Sequence, residues 1–149
     1  MARTKKNPAV TDEQLIAKAV EMMGRAYAPY SHFQVGAALL CADGTVFGGC
    51  NIENSAYGPT VCAERTAIFK AVSEGFRDFV KIAIVGGENG IIRGMAAPCG
   101  VCRQVMTEFC DPDAFTILLG DVEGYQSYTL RELLPLGFRL ADASEGRYL

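Results

Sequence analysis

Two short segments, KIAIVGG from Lys81 and FTILLG from Phe115, are apolar at nearly every position. A strand with one wet face alternates apolar and polar residues. Strands without that alternation are buried on both faces. A chain carrying two of them must build a sheet with helices on both sides. The fold class expected is therefore α/β, a three-layer α/β/α sandwich around a mixed sheet of about five strands. The 149 residues fit one domain (1–149) able to bury a core without staples.

The remaining elements fall around those strands. Thr11 is a plausible N-cap for DEQLIAKAVEMMGRAY, in which Leu15, Ile16, Ala19, Val20 and Met23 repeat at helical spacing. Asp12 and Glu13 suit the positive end of that helix. Pro29 biases its predecessor away from helix, so the helix is expected to end near Tyr27. FQVGAALLCADGTVFGGCNIEN reads as a hairpin turning at Ala42-Asp43-Gly44. A second helix is predicted from Cys62 to about Glu74, stopped by Gly75. CGVCRQVMTEF is a third helical pattern, ended by Asp111-Pro112. A weaker strand is predicted over Tyr125 to Thr129, and TLRELLP is a short last helix.

Half of the residues are apolar, 21% are charged, and the net charge is only −3. That balance gives no electrostatic footprint for nucleic acid. No apolar run reaches the roughly eighteen residues of a membrane span. The start, MARTKKNPAVTDEQ, is basic without an apolar h-region, so it reads as a short tail, not an export signal. The expected location is cytoplasmic. There, six cysteines (Cys41, Cys50, Cys62, Cys99, Cys102 and Cys110) point to metal ligation or thiol chemistry more than to disulfides.

Three of the six sit at helix starts. Pro98-Cys99-Gly-Val-Cys102 puts two sulfurs on one side of a first turn, and Cys62 opens another helix. Helix N-termini favour thiolate, and zinc takes thiolates at tetrahedral angles. Two such starts aimed at one point make a three-cysteine site with the fourth position open to water. Glu64, two residues after Cys62, is then placed to move protons between that water and a substrate. Three other readings compete. A closed structural zinc site would draw its fourth ligand from Cys41, Cys50, Cys110 or His32. A redox CxxC would leave Cys62-x-Glu64 unexplained. The cysteines are otherwise buried small hydrophobes.

The pattern CxE … PCxxC matches the signature of zinc-dependent nucleoside and nucleobase deaminases in their three-cysteine form. YAPYSHFQVGAAL, NIENSAYGPTVCAERTA, PCGVCRQV and ELLPLGF, in that order, resemble the small homotetrameric cytidine deaminases. The resemblance runs from about Thr11 to Leu140. It implies one Zn²⁺ per subunit on Cys62, Cys99 and Cys102, with Glu64 as proton shuttle. It implies hydrolysis of cytidine and 2′-deoxycytidine to uridine and 2′-deoxyuridine in pyrimidine salvage, zinc-bound hydroxide attacking C4.

The same resemblance implies further roles. Arg65 would draw charge from the thiolates, with Gln104 a further candidate beside the metal site. Asn51 and Glu53 would hold the ribose 3′-hydroxyl, or are a polar loop after a strand. Phe33 would pack on the pyrimidine, or belongs to the strand core. Phe138 would reach a neighbouring subunit's site, or packs locally. Tyr57 and Ala63 would also touch substrate. His32 is expected to be exposed or structural, and Cys41, Cys50 and Cys110 to be buried or half-buried thiols. A relative acting on the antibiotic blasticidin S shares CAE and PCGxCRQ, whereas NIENSAYG and YSHFQVGAA favour an ordinary nucleoside. A zinc-stabilised binding module without catalysis would need a fourth protein ligand and no Glu64.

Overall fold

The computed structural model describes residues 9–144; the basic tail read from residues 1–8 lies outside them. The elements run α1 (Asp12–Met23), β1 (Phe33–Cys41), β2 (Val46–Cys50), α2 (Ala63–Ser73), β3 (Phe79–Glu88), α3 (Gly100–Phe109), β4 (Thr116–Asp121), β5 (Gly124–Thr129), α4 (Leu130–Leu133) and α5 (Leu140–Ser144). The five strands form one sheet in the order β2-β1-β3-β4-β5. β1 is antiparallel to β2 and β3, β3 and β4 are parallel, and β5 returns antiparallel to β4.

The uninterrupted apolar strands sort their side chains by alternation. Ala38, Ala83, Val85 and Leu118 form one cluster with Leu15, Ile16, Ala19 and Met23 of α1. Ala37, Leu39, Ile82, Ile84, Ile117 and Leu119 pack on the other face with residues of α2, α3 and α4. Each large aliphatic side chain buried this way stabilises the fold by roughly 1.5–3 kcal/mol. β5 is mostly half-buried or exposed, which explains its weak hydrophobic signal.

Thr11 caps α1 through a reciprocal box. Its hydroxyl accepts from the Gln14 amide at 3.1 Å, and the Gln14 side chain accepts from the Thr11 amide at 3.0 Å. The helix stops at Met23, four residues short of Tyr27. A nonlocal contact explains this difference. Tyr27 donates its amide to the Asn51 carbonyl at 3.0 Å, and its carbonyl accepts from the Glu53 amide at 2.8 Å. The turn after α1 is thereby stitched to the segment that follows β2. The five-residue α5 is too short to leave a periodic pattern.

Two glycines let helices lie directly on the sheet. A Cβ on Gly36 would stand 1.9 Å from the Ala19 carbonyl oxygen and 2.4 Å from the Met23 nitrogen. On Gly49 it would meet the Ala63 oxygen at 2.4 Å and the Ala67 nitrogen at 2.5 Å. Both obstacles are backbone, so a whole helix would have to move. Gly36→Ala is expected to cost about 1–3 kcal/mol by overpacking, read as a lower urea midpoint. Gly124→Ala, which meets nothing within 4 Å, is expected to stay within about 0.5 kcal/mol of the parent.

Candidate active site

Cys62 and Cys99 are the N-caps of α2 and α3, both with extended backbone (φ −76°, ψ 156° and φ −67°, ψ 167°), and neither side chain caps its helix. Their sulfurs are thus left for other partners. Cys102 is buried in the first turn of α3. The three Sγ atoms lie within 4.8 Å of one another, and Cys62 and Cys99 are 3.8 Å apart. A zinc–sulfur bond of about 2.3 Å sets a tetrahedral edge of about 3.8 Å, so the donors and their spacing fit zinc.

Among the described residues no other group of metal-ligating side chains converges in this way. Burial pushes the Cys41 thiol up to about 11 and Cys110 to about 12. Cys50 is also raised by burial, and its thiol donates to the Arg25 carbonyl at 3.5 Å. His32 is exposed on a left-handed backbone turn, φ +57°. The candidates for a fourth protein ligand are therefore spread elsewhere.

The sulfurs polarise one another. Hydrogen bonding from the Cys102 thiol, helped by Arg65 and Cys99, holds Cys62 down at about 5 despite partial burial. The same bond and burial push Cys102 up. A divalent cation replaces such shared protons when it binds thiolates. Arg65 Nη2 donates to Cys62 Sγ at 3.5 Å, and its Nε is buried without a hydrogen-bond partner. Glu64 is only 4% exposed, and burial pushes its carboxyl up to about 7.

A cleft of about 370 Å³ opens over this cluster, lined by Phe33, Val35, Asn51, Thr60, Val61, Cys62, Ala63, Glu64, Met95, Ala96, Ala97 and Cys99. That volume lies within the range of small-molecule sites. A larger cavity of about 650 Å³, between the end of α3 and the segment after α4, shares no residue with the sulfur cluster. Phe33 is 39% exposed and lines the cleft, so it is not strand core. Its backbone is held on both sides. Its amide donates to Ser31 Oγ at 3.0 Å, and its carbonyl accepts from Asn51 Nδ2 at 2.8 Å. Asn51 Oδ1 also accepts from the Val35 amide at 2.9 Å.

Other candidates lie outside the lining. Glu53 Oε1 accepts from the amides of Tyr30 and Ser31 at 3.0 and 3.1 Å, and hydrogen bonds from Ser31 lead in lowering its carboxyl. Tyr57 is exposed, in edge contact with Tyr30 at 6.1 Å between ring centroids. Phe138 is exposed on the segment after α4. Gln104 is not seated on the sulfurs; its Nε2 donates to the Phe138 carbonyl at 2.9 Å. Two residues along a helix are about 200° around it, which turns Gln104 away from Cys102. Sequence reasoning passed over the walls Val35, Thr60, Val61 and Met95–Ala97. Their signal was adjacency to singled-out residues, Ala96 and Ala97 leading directly into PCxxC.

The family model described as "Cytidine and deoxycytidylate deaminase zinc-binding region" matches residues 9–118. A cytidine deaminase of Sporosarcina psychrophila is 51% identical over 135 residues, 89% of this chain and 94% of that protein. One from Halalkalibacterium halodurans is 50% identical over 134 residues, 89% of this chain and 98% of that protein. The crystal structure of a cytidine deaminase from Burkholderia pseudomallei superposes with a TM-score of 0.79 at 46% identity, covering 86% of this chain and 99% of that one. Such similarity spans the sheet and both cysteine-bearing helix starts together, and the chain belongs to the cytidine and deoxycytidylate deaminase family.

Proposed function

We propose that this chain hydrolyses cytidine and 2′-deoxycytidine to uridine and 2′-deoxyuridine with release of ammonia, in pyrimidine salvage. The observation that carries the reading is a buried carboxyl, Glu64, beside three convergent sulfurs in a nucleoside-sized cleft. Cys62, Cys99 and Cys102 are the three side chains that would hold zinc. Zinc there supplies a Lewis acid that brings the acidity of water toward neutrality.

Glu64 moves the protons. A carboxyl raised to about 7 by burial takes and gives a proton near neutral pH with little penalty. It accepts a proton from water and delivers it to ring N3, relieving charge as C4 loses its place in the aromatic system. It then carries the second proton to the departing amine. Water supplies the new C4 oxygen and ammonia leaves, so the atoms balance. Phe33 packs against the ring from the cleft wall. Ala63 opens α2, and its amide is one of the helix-start donors free to meet the ring carbonyl. Asn51 and Glu53 follow β2 and meet the ribose 3′-hydroxyl, with Tyr57 at the rim.

Arg65 answers a charge problem. With zinc bound, three thiolates would leave a net charge of −1, which would weaken the metal's acidifying effect on water. The 3.5 Å bond from Arg65 to Cys62 Sγ draws charge off the sulfur. The working assembly is a homotetramer in which Phe138 reaches a neighbouring cleft. Leu136, Phe138 and Leu140, all exposed on one short segment with Leu136 at 87%, support this reading. Six free thiols suit the cytoplasm. Among the described residues no helix is long and apolar enough to cross a membrane.

Three outcomes are expected. Glu64→Ala retains one zinc per chain by elemental analysis and loses at least about 10²–10⁴ in rate, followed by cytidine's ultraviolet absorbance. Unchanged absorbance with the zinc-loaded parent protein would sink the reading. Arg65→Gln binds zinc about 10–100-fold more weakly in competition with a chelator. Light scattering returns about four times the 16.0 kDa chain mass; a 16.0 kDa species would remove the inter-subunit role given to Phe138.

A further inference from the structure

One cation beside the metal centre has no part in the chemistry above. Arg103 directly follows Cys102, and its guanidinium donates to two backbone carbonyls. Its Nε donates to the Pro98 carbonyl at 2.7 Å and its Nη1 to the Leu133 carbonyl at 2.6 Å, both partly buried. Its own amide donates to the Cys99 carbonyl at 3.0 Å. A single residue therefore holds the chain immediately before and immediately after Cys99.

Cys99 is the sulfur in need of such support. Of the three convergent cysteines it alone is exposed. It sits at a helix start, where the first amides lack intrahelical partners, and its side chain makes no cap bond. Fixing the Pro98–Cys99 peptide on one side and the Cys99 carbonyl on the other fixes the direction of its Cα–Cβ bond. A guanidinium does this well, because its donors form a rigid, always charged fork. The other arm of the fork anchors it to Leu133, the last residue of α4. Gln104 adds a parallel tie to the Phe138 carbonyl. Two consecutive residues of α3 thus fasten the 133–138 segment to the helix that carries two of the sulfurs.

We propose that Arg103 is a positioning residue of the metal centre: it holds Cys99 in place for the metal by clamping the Pro98 carbonyl and bracing that clamp on α4. The inference rests on the zinc reading above. It is tested by zinc release to a chromogenic chelator from Arg103→Lys and Arg103→Gln. Lysine keeps the charge, but its single nitrogen cannot reproduce the two-armed fork. Arg131→Lys, altering a cation paired with exposed Asp113, serves as the control.

Both Arg103 variants are expected to show parent-like circular dichroism, release zinc at least about 10-fold faster, and shift the thiolate-to-cobalt absorption of cobalt-loaded protein. The control is expected to release zinc at the parent rate. Parent-like release from both Arg103 variants overturns the inference and leaves the zinc reading intact. So does equally fast release from the control. Failure of both Arg103 variants to fold also overturns it, because Arg103 would then hold the fold and not the ligand. A parent protein that retains no zinc overturns the zinc reading itself.

Discussion

The closeness with which α2 lies on the sheet is the constraint on which the cleft depends. Gly49 has no side chain, and the carbonyl of Ala63 and the amide of Ala67 occupy the space where its Cβ would be. Ala63, Ala67 and Ala71 give the helix a small-residue face toward the strands. The Thr66 hydroxyl then bridges the Cys50 and Cys62 carbonyls at 3.0 and 3.2 Å. The end of β2 and the start of α2 become one unit. Asn51, next after β2, and Cys62, just before α2, are placed relative to each other by the close backbone approach at Gly49 and by the Thr66 hydroxyl.

That placement brings ionisable groups together where water is scarce. A buried carboxyl beside thiolates is unfavourable in isolation, because burial penalises charge on all of them. Two features offset it. Both helices aim their N-termini at the sulfurs, and Arg65 donates into the cluster. A divalent cation supplies the remaining positive charge. Folding therefore stores an electrostatic demand that metal binding meets, which couples the shape of the site to its affinity.

The parts legible in the sequence were those set by local rules. β3 and β4 announced themselves because burial on both faces leaves no polar positions. The three sulfurs were legible because a helix start fixes its cap and first turn in space. Arg65, three residues after Cys62, shares its face of α2, and the 3.5 Å bond follows from that spacing. Gln104 was singled out only by its place just after the CxxC, and its side-chain nitrogen donates to the Phe138 carbonyl. The end of α1 was misread because the pairing of Tyr27 with residues 51–53 joins segments far apart in the sequence. The walls Met95–Ala97 belong to a loop whose position is decided by packing, with no periodic pattern to betray it.

The polar residues around the cleft bear on how rigid it is before any ligand arrives. Asn51 spends both its amide atoms on the backbone of β1, and Glu53 accepts two amides from residues 30–31. These bonds fix the loop that presents Phe33 from two directions. A ring held this way loses little further freedom when a flat ligand stacks on it, so less of the contact energy goes into ordering the protein. A residue pair suited by type to a sugar hydroxyl thus serves first to shape the wall beside it. Any hydroxyl that meets Asn51 or Glu53 meets groups already oriented by the fold, which favours a ligand of fixed shape over a flexible one.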